Sequence, residues 1–178
     1  CLQSEDFSTT WAATDVTVTA NDTTSPDGTN SADKLNDTNG AAQGNVTQSV
    51  TIANDSTWHT FSVYVAKYVQ TDHFPEFRLA LTGGTSIYSY LQLNTSTGAS
   101  TTRTFNGEVY SNVYDAGAGF WRIAISVKNN TSGNTTAALT IYPAMASSLG
   151  GAPDVAETGY IHTWGAQLEN LPLVSSYI

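Results

Sequence analysis

Residues 58–66 read WHTFSVYVA, and apolar side chains alternate with polar or aromatic ones along most of this stretch. Side chains two residues apart point the same way in a β-strand, so the stretch has two distinct faces. The apolar face carries Phe61, Val63 and Val65. Ser62 and Tyr64 lie on the opposite face. This alternation predicts a strand whose apolar face is buried and whose other face carries an aromatic ring.

The same alternation occurs in residues 76–82, 87–94 and 121–128. The inward-facing side chains predicted for these segments are Phe77, Leu79, Leu81, Ile87, Leu91, Leu93, Trp121, Ile123, Ile125 and Val127. The opposite faces of the first two segments carry Arg78, Tyr88, Tyr90 and Gln92. The outward surface is therefore both aromatic and polar, whereas the solvated face of an antiparallel sheet usually carries mainly polar side chains.

Ten segments in all are predicted to be strands, and the remaining ones are 14–20, 31–36, 45–52, 104–110, 137–142 and 160–169. Turn signals such as Asn39-Gly40, Gly83-Gly84, Asn106-Gly107 and Gly150-Gly151 interrupt the chain. The 27 Thr and 18 Ser residues favour strands and turns over helices. We therefore predict an all-β fold, a sandwich of antiparallel strands, with residues 1–178 as a single domain.

Composition excludes several classes of function. With 15 Asp and Glu against 6 Lys and Arg, the net charge is −9, whereas a nucleic-acid-binding protein needs a basic surface. The single cysteine, Cys1, leaves no internal disulfide and no cysteine-based zinc site. No 18-residue apolar run and no signal-peptide pattern occur, so we expect no membrane insertion.

Catalytic motifs are missing from the sequence. There is no G-x-S-x-G nucleophile motif, no H-E-x-x-H metal motif, and no strand that presents paired carboxylates as retaining β-sandwich glycosidases do. The three histidines, His59, His73 and His162, are widely dispersed. We therefore predict that the protein is not an enzyme.

The outward aromatic residues suggest a binding surface. If the middle strands lie side by side, Tyr64, Tyr88 and Tyr90 form flat platforms flanked by Arg78 and Gln92. Pyranose C–H faces stack on such rings, and sugar hydroxyls bond to amide and guanidinium groups. Trp58, at the start of a strand, is either a rim platform or a lid on the core. Simple cross-strand packing of the tyrosines is the competing interpretation.

Acidic residues near both termini suggest a hard cation. Glu5, Asp37 and Glu169 come together if the first and last strands are neighbours, and calcium prefers such oxygen ligands. Solvated surface acids that keep the protein soluble are an equally good interpretation.

Several phrases resemble a known module along nearly the whole chain. They are LQSEDFS at 2–8, PDGT at 26–29, FSVYV at 61–65, DAG at 115–117, GFWR at 119–122, WGAQLE at 164–169 and SYI at 176–178. They resemble a jelly-roll module of bacteriophage tail-fibre and virion-appendage proteins, similar to carbohydrate-binding modules of the family 4/9/22 type. The resemblance implies a jelly-roll β-sandwich with one concave sheet, a virion or extracellular location, and a glycan groove at Tyr64, Arg78, Tyr88 and Tyr90. It also implies a structural calcium near Glu5, Asp37 and Glu169.

Two functions follow as hypotheses. The first is a non-catalytic carbohydrate-binding module that holds a polysaccharide or cell-surface glycan, neutral rather than anionic because the chain itself is acidic. The second is a structural or homo-oligomerisation domain of a tail fibre or virion decoration, whose aromatic face packs on a neighbouring chain.

Overall fold

Twelve strands and no helix make up the computed structural model, which describes residues 5–68 and 73–176. Cys1 and the ends of the phrases at 2–8 and 176–178 lie outside the described residues. The strands are β1 (Ala12–Thr14), β2 (Val16–Thr23), β3 (Ala32–Asp37), β4 (Asn45–Thr51), β5 (Trp58–Ala66), β6 (Phe74–Thr82), β7 (Ile87–Leu93), β8 (Ser100–Phe105), β9 (Val109–Gly117), β10 (Phe120–Lys128), β11 (Thr136–Ala146) and β12 (Gly159–Glu169). Within the described ranges no helix is suited to crossing a membrane.

The strands pair as nested hairpins. β3 pairs with β12, β4 with β11, β5 with β10 and β6 with β7, all antiparallel. Successive pairs alternate between two six-stranded sheets, which is the jelly-roll arrangement of a β-sandwich. Sheet I has the order β1-β4-β11-β6-β7-β8, and sheet II has the order β2-β3-β12-β5-β10-β9. The all-β jelly-roll prediction is confirmed.

The core lies between the two sheets and contains the predicted inward faces. Phe61, Val63 and Val65 of β5 are buried within one hydrophobic cluster. The predicted inward residues of β6, β7 and β10 that belong to the same cluster are Phe77, Leu79, Leu81, Ile87, Leu91, Leu93, Ile123, Ile125 and Val127. Trp121 is only partly buried, at the edge of this cluster, and its indole Nε1–H donates to the Thr95 carbonyl over 2.8 Å. Alternation therefore assigned the faces of these strands correctly.

Two predicted strands are each two strands in the structure. The single strand predicted over 104–110 is wrong, because the chain turns at Asn106 (φ 60°) and continues from β8 in sheet I to β9 in sheet II. Near the N-terminus, Asp15 (φ 55°) separates β1 from β2 and sends them to different sheets. The turn signal Asn106-Gly107 marked the first break in the sequence, although the predicted strand ran through it. At Asp15 the sequence gave no such sign, since a positive φ at a non-glycine residue is uncommon.

Candidate functional site

The outer surface of sheet I brings the outward residues of β6, β7 and β8 into one row. Arg78 lies opposite Tyr90, and Tyr90 lies opposite Arg103 on the next strand. Tyr88 lies opposite Phe105. These strands border a cleft of about 470 Å³, which we call the sheet I cleft. It is lined by Gln43, Tyr88, Tyr90, Arg103, Thr104, Phe105, Tyr142, Met145 and Pro153.

Aromatic rings form one side of the sheet I cleft. Tyr88 and Phe105 stack with centroids 4.8 Å apart and planes 15° from parallel. Tyr90 meets Tyr88 edge-on, with centroids 5.6 Å apart and planes at 82°. Phe105 is 46% exposed, so the ring surface is open to solvent. Two ring orientations at nearly a right angle offer flat apolar platforms along two directions.

Guanidinium groups support these rings. Arg78 lies 5.1 Å from the centroid of Tyr88 and 5.3 Å from that of Tyr90. Arg103 lies 5.0 Å from the Tyr90 centroid. Cations at this distance from a ring are held by its quadrupole. The tyrosines are therefore held in place before any ligand arrives.

A buried carboxylate lies beneath the cleft. Glu76 is fully buried, and its Oε2 accepts from Arg103 Nη2 over 2.5 Å. Burial raises the pKa of Glu76, while the Arg103 hydrogen bond and the charges of Arg103 and Arg78 act in the opposite direction. Glu76 Oε1 has no hydrogen-bond partner among the described residues. The ion pair fixes Arg103, whose side chain remains half exposed, at the cleft surface.

Of the residues that line the sheet I cleft, sequence reasoning named only Tyr88 and Tyr90, and those it missed include Arg103, Phe105 and Tyr142. Arg103 and Phe105 alternate with Thr102 and Thr104 in β8, so they share its outward face. That alternation was the available signal, but the predicted strand began at 104. Tyr142 is the last residue of the strand predicted over 137–142, which extends from Thr136 to Ala146 in the structure. Burial raises the pKa of the Tyr142 phenol, and the charge of Arg78 partly offsets this effect.

Gln92 lies on the same strand as Tyr88 and Tyr90 but does not face the cleft as an open amide. It is buried, and its Oε1 accepts the backbone N–H of Gly150. This bond ties the loop 147–158 to the sheet, and Pro153 of that loop forms one wall of the cleft. Gln92 therefore positions a wall of the cleft, which corrects its predicted role as a direct sugar contact.

Tyr64 and Trp58 lie on the other side of the molecule. β5 belongs to sheet II, so its outward residues face away from sheet I. Tyr64 lies opposite Arg122 on β10, whereas Trp58 stacks on Tyr110 with centroids 5.0 Å apart. The single surface predicted from Tyr64, Tyr88 and Tyr90 is thus divided between opposite faces. The reason is that alternation fixes the face of a strand but not the sheet that the strand joins.

The outer surface of sheet II contains a second cleft, of about 620 Å³, which we call the sheet II cleft. It is lined by Pro26, Asp27, Tyr64, Tyr114, Ala116, Arg122, Trp164, Val174, Ser175 and Ser176. Tyr64 and Trp164 meet edge-on at 5.3 Å, and the Arg122 guanidinium lies 5.2 Å from the Tyr64 centroid. The β12 register shifts between Trp164 and Gln167, where Gly165 has φ 62°, so Trp164 faces this cleft and Ala166 the core.

The three acidic residues predicted to hold calcium do not come together. Asp37 lies opposite Gly159 at the start of β12, whereas Glu169 ends that strand, about 30 Å away at the usual rise per residue. Asp37 accepts backbone N–H groups of its own loop, and Glu169 accepts from Ser175. Glu5 is exposed. The described residues contain no cluster of three or more His, Cys, Asp or Glu side chains arranged for a metal.

Comparison with protein-family models finds no match, and comparison with curated proteins finds none either. Among solved structures, the chain is similar to TmCBM27, described as a carbohydrate-binding module that recognises mannan specifically. The two share 11% sequence identity with a TM-score of 0.41, over 89% of this chain and 82% of that one. At this identity the similarity says nothing about the residues of either cleft.

Proposed function

We propose that this chain is a non-catalytic glycan-binding module whose ligand lies in the sheet I cleft. The observation that carries this proposal is the exposed stack of Tyr88 and Phe105, set at nearly a right angle to Tyr90 and beside the Arg103 guanidinium. Sugar rings offer apolar C–H faces that stack on such platforms. Their hydroxyls are suited to bonds with a guanidinium and with phenol groups at the edge.

The residues of the cleft favour binding without catalysis. None of the cleft-lining residues named above is Asp or Glu, and the carboxylate beneath them, Glu76, is committed to Arg103. Retaining hydrolysis of a glycosidic bond needs two carboxyl groups about 5–5.5 Å apart. Fixed rings and a fixed guanidinium favour affinity instead, because little side-chain ordering remains to be paid for on binding.

We propose a neutral polysaccharide or cell-surface glycan as the ligand. The positive charge of Arg103 is partly balanced by Glu76, and Arg78 lies against two rings. The net charge of −9 opposes the approach of a polyanion. A glycan of this kind fits the virion or extracellular location that the sequence resemblance implies.

Binding to a glycan array, followed by calorimetry with the best soluble oligosaccharide, tests the proposal. We expect dissociation constants on the order of micromolar to millimolar, and about tenfold weaker binding for Tyr90→Ala, since one stacked ring contributes about 1 kcal/mol beyond the area it buries. Tyr110→Ala is the matched control, because Tyr110 is 57% exposed and lines neither cleft. No array signal, or equal loss in both variants, would refute the assignment.

A structural role in a larger assembly is the second candidate. Leu171 and Leu173 are 49% and 60% exposed, and Tyr110 lies on the same outer surface of sheet II. Exposed apolar side chains of this kind suit a protein interface. Light scattering coupled to size-exclusion chromatography distinguishes the two candidates. A stable oligomer that dissociates on Leu173→Asp favours the structural role, and a monomer excludes self-association through this surface.

A further inference from the structure

We propose that the sheet II cleft is a second glycan-binding site, independent of the first, so that one chain binds two glycan segments on opposite faces. This inference rests on the proposed function, because the ligand class is the same. It uses different residues, however, and the two sites fail or succeed separately in the experiment below.

The floor of the sheet II cleft repeats the chemistry of the sheet I cleft. Tyr64 and Trp164 meet edge-on, and Arg122 lies over the Tyr64 ring. Tyr114, on β9 opposite Arg122, is 41% exposed and extends the aromatic surface toward solvent. Aromatic rings beside a guanidinium thus occur on both outer surfaces of the sandwich.

The rim of the cleft carries a carboxylate held in a fixed orientation. Asp27 Oδ1 accepts from Ser25 Oγ at 2.6 Å and from the N–H and Oγ1 of Thr29 at 2.8 and 2.7 Å. These bonds, that of Ser25 first, lower the pKa of Asp27, so the group is ionised at neutral pH. An oriented carboxylate beside aromatic rings accepts hydrogen bonds from sugar hydroxyls.

Arg122 is held from several sides and still has an unpartnered group. Its Nη2 donates to Ser62 Oγ at 3.0 Å and to Gln167 Oε1 at 3.1 Å, and its Nη1 donates to the Ser175 carbonyl at 2.6 Å. The residue is 8% exposed, and its Nε is buried with no partner among the described residues. Burying the Nε donor without a partner costs free energy. The three hydrogen bonds of the guanidinium hold Arg122 in this position despite that cost.

The segment 170–176, which we call the C-terminal strap, forms a wall of this cleft. Thr60 Oγ1 and Ser126 Oγ donate to the carbonyls of Leu171 and Pro172, and Glu169 accepts from the N–H and Oγ of Ser175. Side chains of sheet II therefore anchor the strap at several points. The wall is built before a ligand enters, which lowers the entropy lost on binding.

The position of the two clefts determines what a bivalent module does. They open on the outer faces of two sheets that pack about 10 Å apart, so a straight glycan segment in one cleft does not reach the other. Each chain therefore bridges two segments, either of one folded-back polysaccharide or of two separate molecules. Linked weak sites of this kind gain avidity without any new contact.

Nuclear magnetic resonance of the tryptophan indole N–H groups separates the two sites. Of the four tryptophans, Trp164 lines the sheet II cleft, and neither cleft includes Trp11, Trp58 or Trp121. The probe is a panel of neutral gluco-, manno-, xylo- and galacto-oligosaccharides, from disaccharides to hexasaccharides. With Tyr90→Ala protein, in which the sheet I cleft is impaired, we expect a member of the panel to shift the Trp164 signal.

Two variants of the sheet II cleft complete the test. Tyr114→Ala and Asp27→Asn change exposed residues, and we expect each to weaken the Trp164 response about tenfold while binding at the sheet I cleft is unchanged. If no member of the panel moves the Trp164 signal, the second site is overturned, even where calorimetry shows that Tyr90→Ala weakens binding at the sheet I cleft. If Trp164 responds and Tyr90→Ala leaves the calorimetric binding unchanged, the first site is overturned and the second stands.

Discussion

Arg103→Ala tests whether the buried Glu76 carboxylate beneath the sheet I cleft depends on its ion pair with Arg103. Glu76 is fully buried, and Arg103 Nη2 reaches its Oε2 over 2.5 Å. Truncating Arg103 removes the ion-pair partner of the buried Glu76 carboxylate. Breaking a fully buried pair costs about 3–5 kcal/mol, but the Arg103 side chain is half exposed, so we expect a loss of about 2 kcal/mol near pH 7. For a chain of this size that corresponds to a fall in Tm of about 4–8 °C.

The pH dependence of this loss in stability tests whether the ionised form of Glu76 causes it. Burial raises the pKa of Glu76 in the folded state, so the folded protein holds this proton more tightly than the unfolded chain does. Its stabilising contribution is present below the unfolded pKa and is lost as pH rises through the folded pKa. Arg103 opposes the shift, so its removal raises the folded pKa further and increases the loss at neutral pH. We therefore expect Arg103→Ala to be nearly as stable as the parent protein at about pH 4.

Thermal unfolding followed by circular dichroism at both pH values measures the effect. The double variant Arg103→Ala/Glu76→Gln removes the charge and is expected to recover most of the loss at neutral pH. Glu108→Ala is the control, because its ion pair with Lys128 is exposed and contributes at most about 1 kcal/mol. A fall in Tm that is equal at both pH values, or no larger than that of Glu108→Ala, would refute this account of Glu76.

Three further predictions concern the scaffold, and thermal unfolding measures each. Gly98→Ala is expected to lower the free energy of unfolding by about 2 kcal/mol, because a Cβ there would lie 2.8 Å from the Trp121 ring and Gly98 has φ +76°. Unchanged stability would contradict this expectation. Asp37→Ala is expected to lower the free energy of unfolding by about 2 kcal/mol, because the N–H of buried Gly44 loses its acceptor. Asp154→Ala, in an exposed loop, is the control and is expected to leave the stability unchanged. Truncation after Glu169 removes the C-terminal strap and its hydrogen bonds to sheet II, and is expected to lower Tm by about 5 °C. An unaltered Tm would show that the strap adds nothing to stability.

Sequence reasoning predicted the faces of the middle strands correctly because burial of one face imposes a period of two. The outward positions of Arg78, Tyr88 and Tyr90 followed from that rule. The rule contains no information on which strand lies beside which, since pairing depends on the whole chain. Tyr64 was therefore grouped with residues from which the sandwich separates it. The same limit explains why acids near both termini were expected to converge.

Other features depended on backbone details that residue patterns do not specify. The direction of the Trp164 side chain follows from the bulge at Gly165. The Gln92 side chain accepts a hydrogen bond from the backbone of a loop more than fifty residues later in the chain. The sheet II cleft depends on the C-terminal strap, which has no alternation at all. Long-range contacts of this kind decide which outward side chains meet a ligand and which support a loop.

The nested pairing has a consequence for how the polypeptide acquires its fold during synthesis. β12 lies between β3 and β5, so sheet II lacks an inner strand until Gly159–Glu169 has left the ribosome. The innermost hairpin, β6 and β7, pairs residues that are close in sequence. β3, in contrast, pairs with a strand more than a hundred residues later in the chain. Chains dominated by such distant pairings fold slowly and expose unpaired edges meanwhile. The domain is thus expected to fold from the β6–β7 hairpin outward and to complete its fold only when β3 pairs with β12.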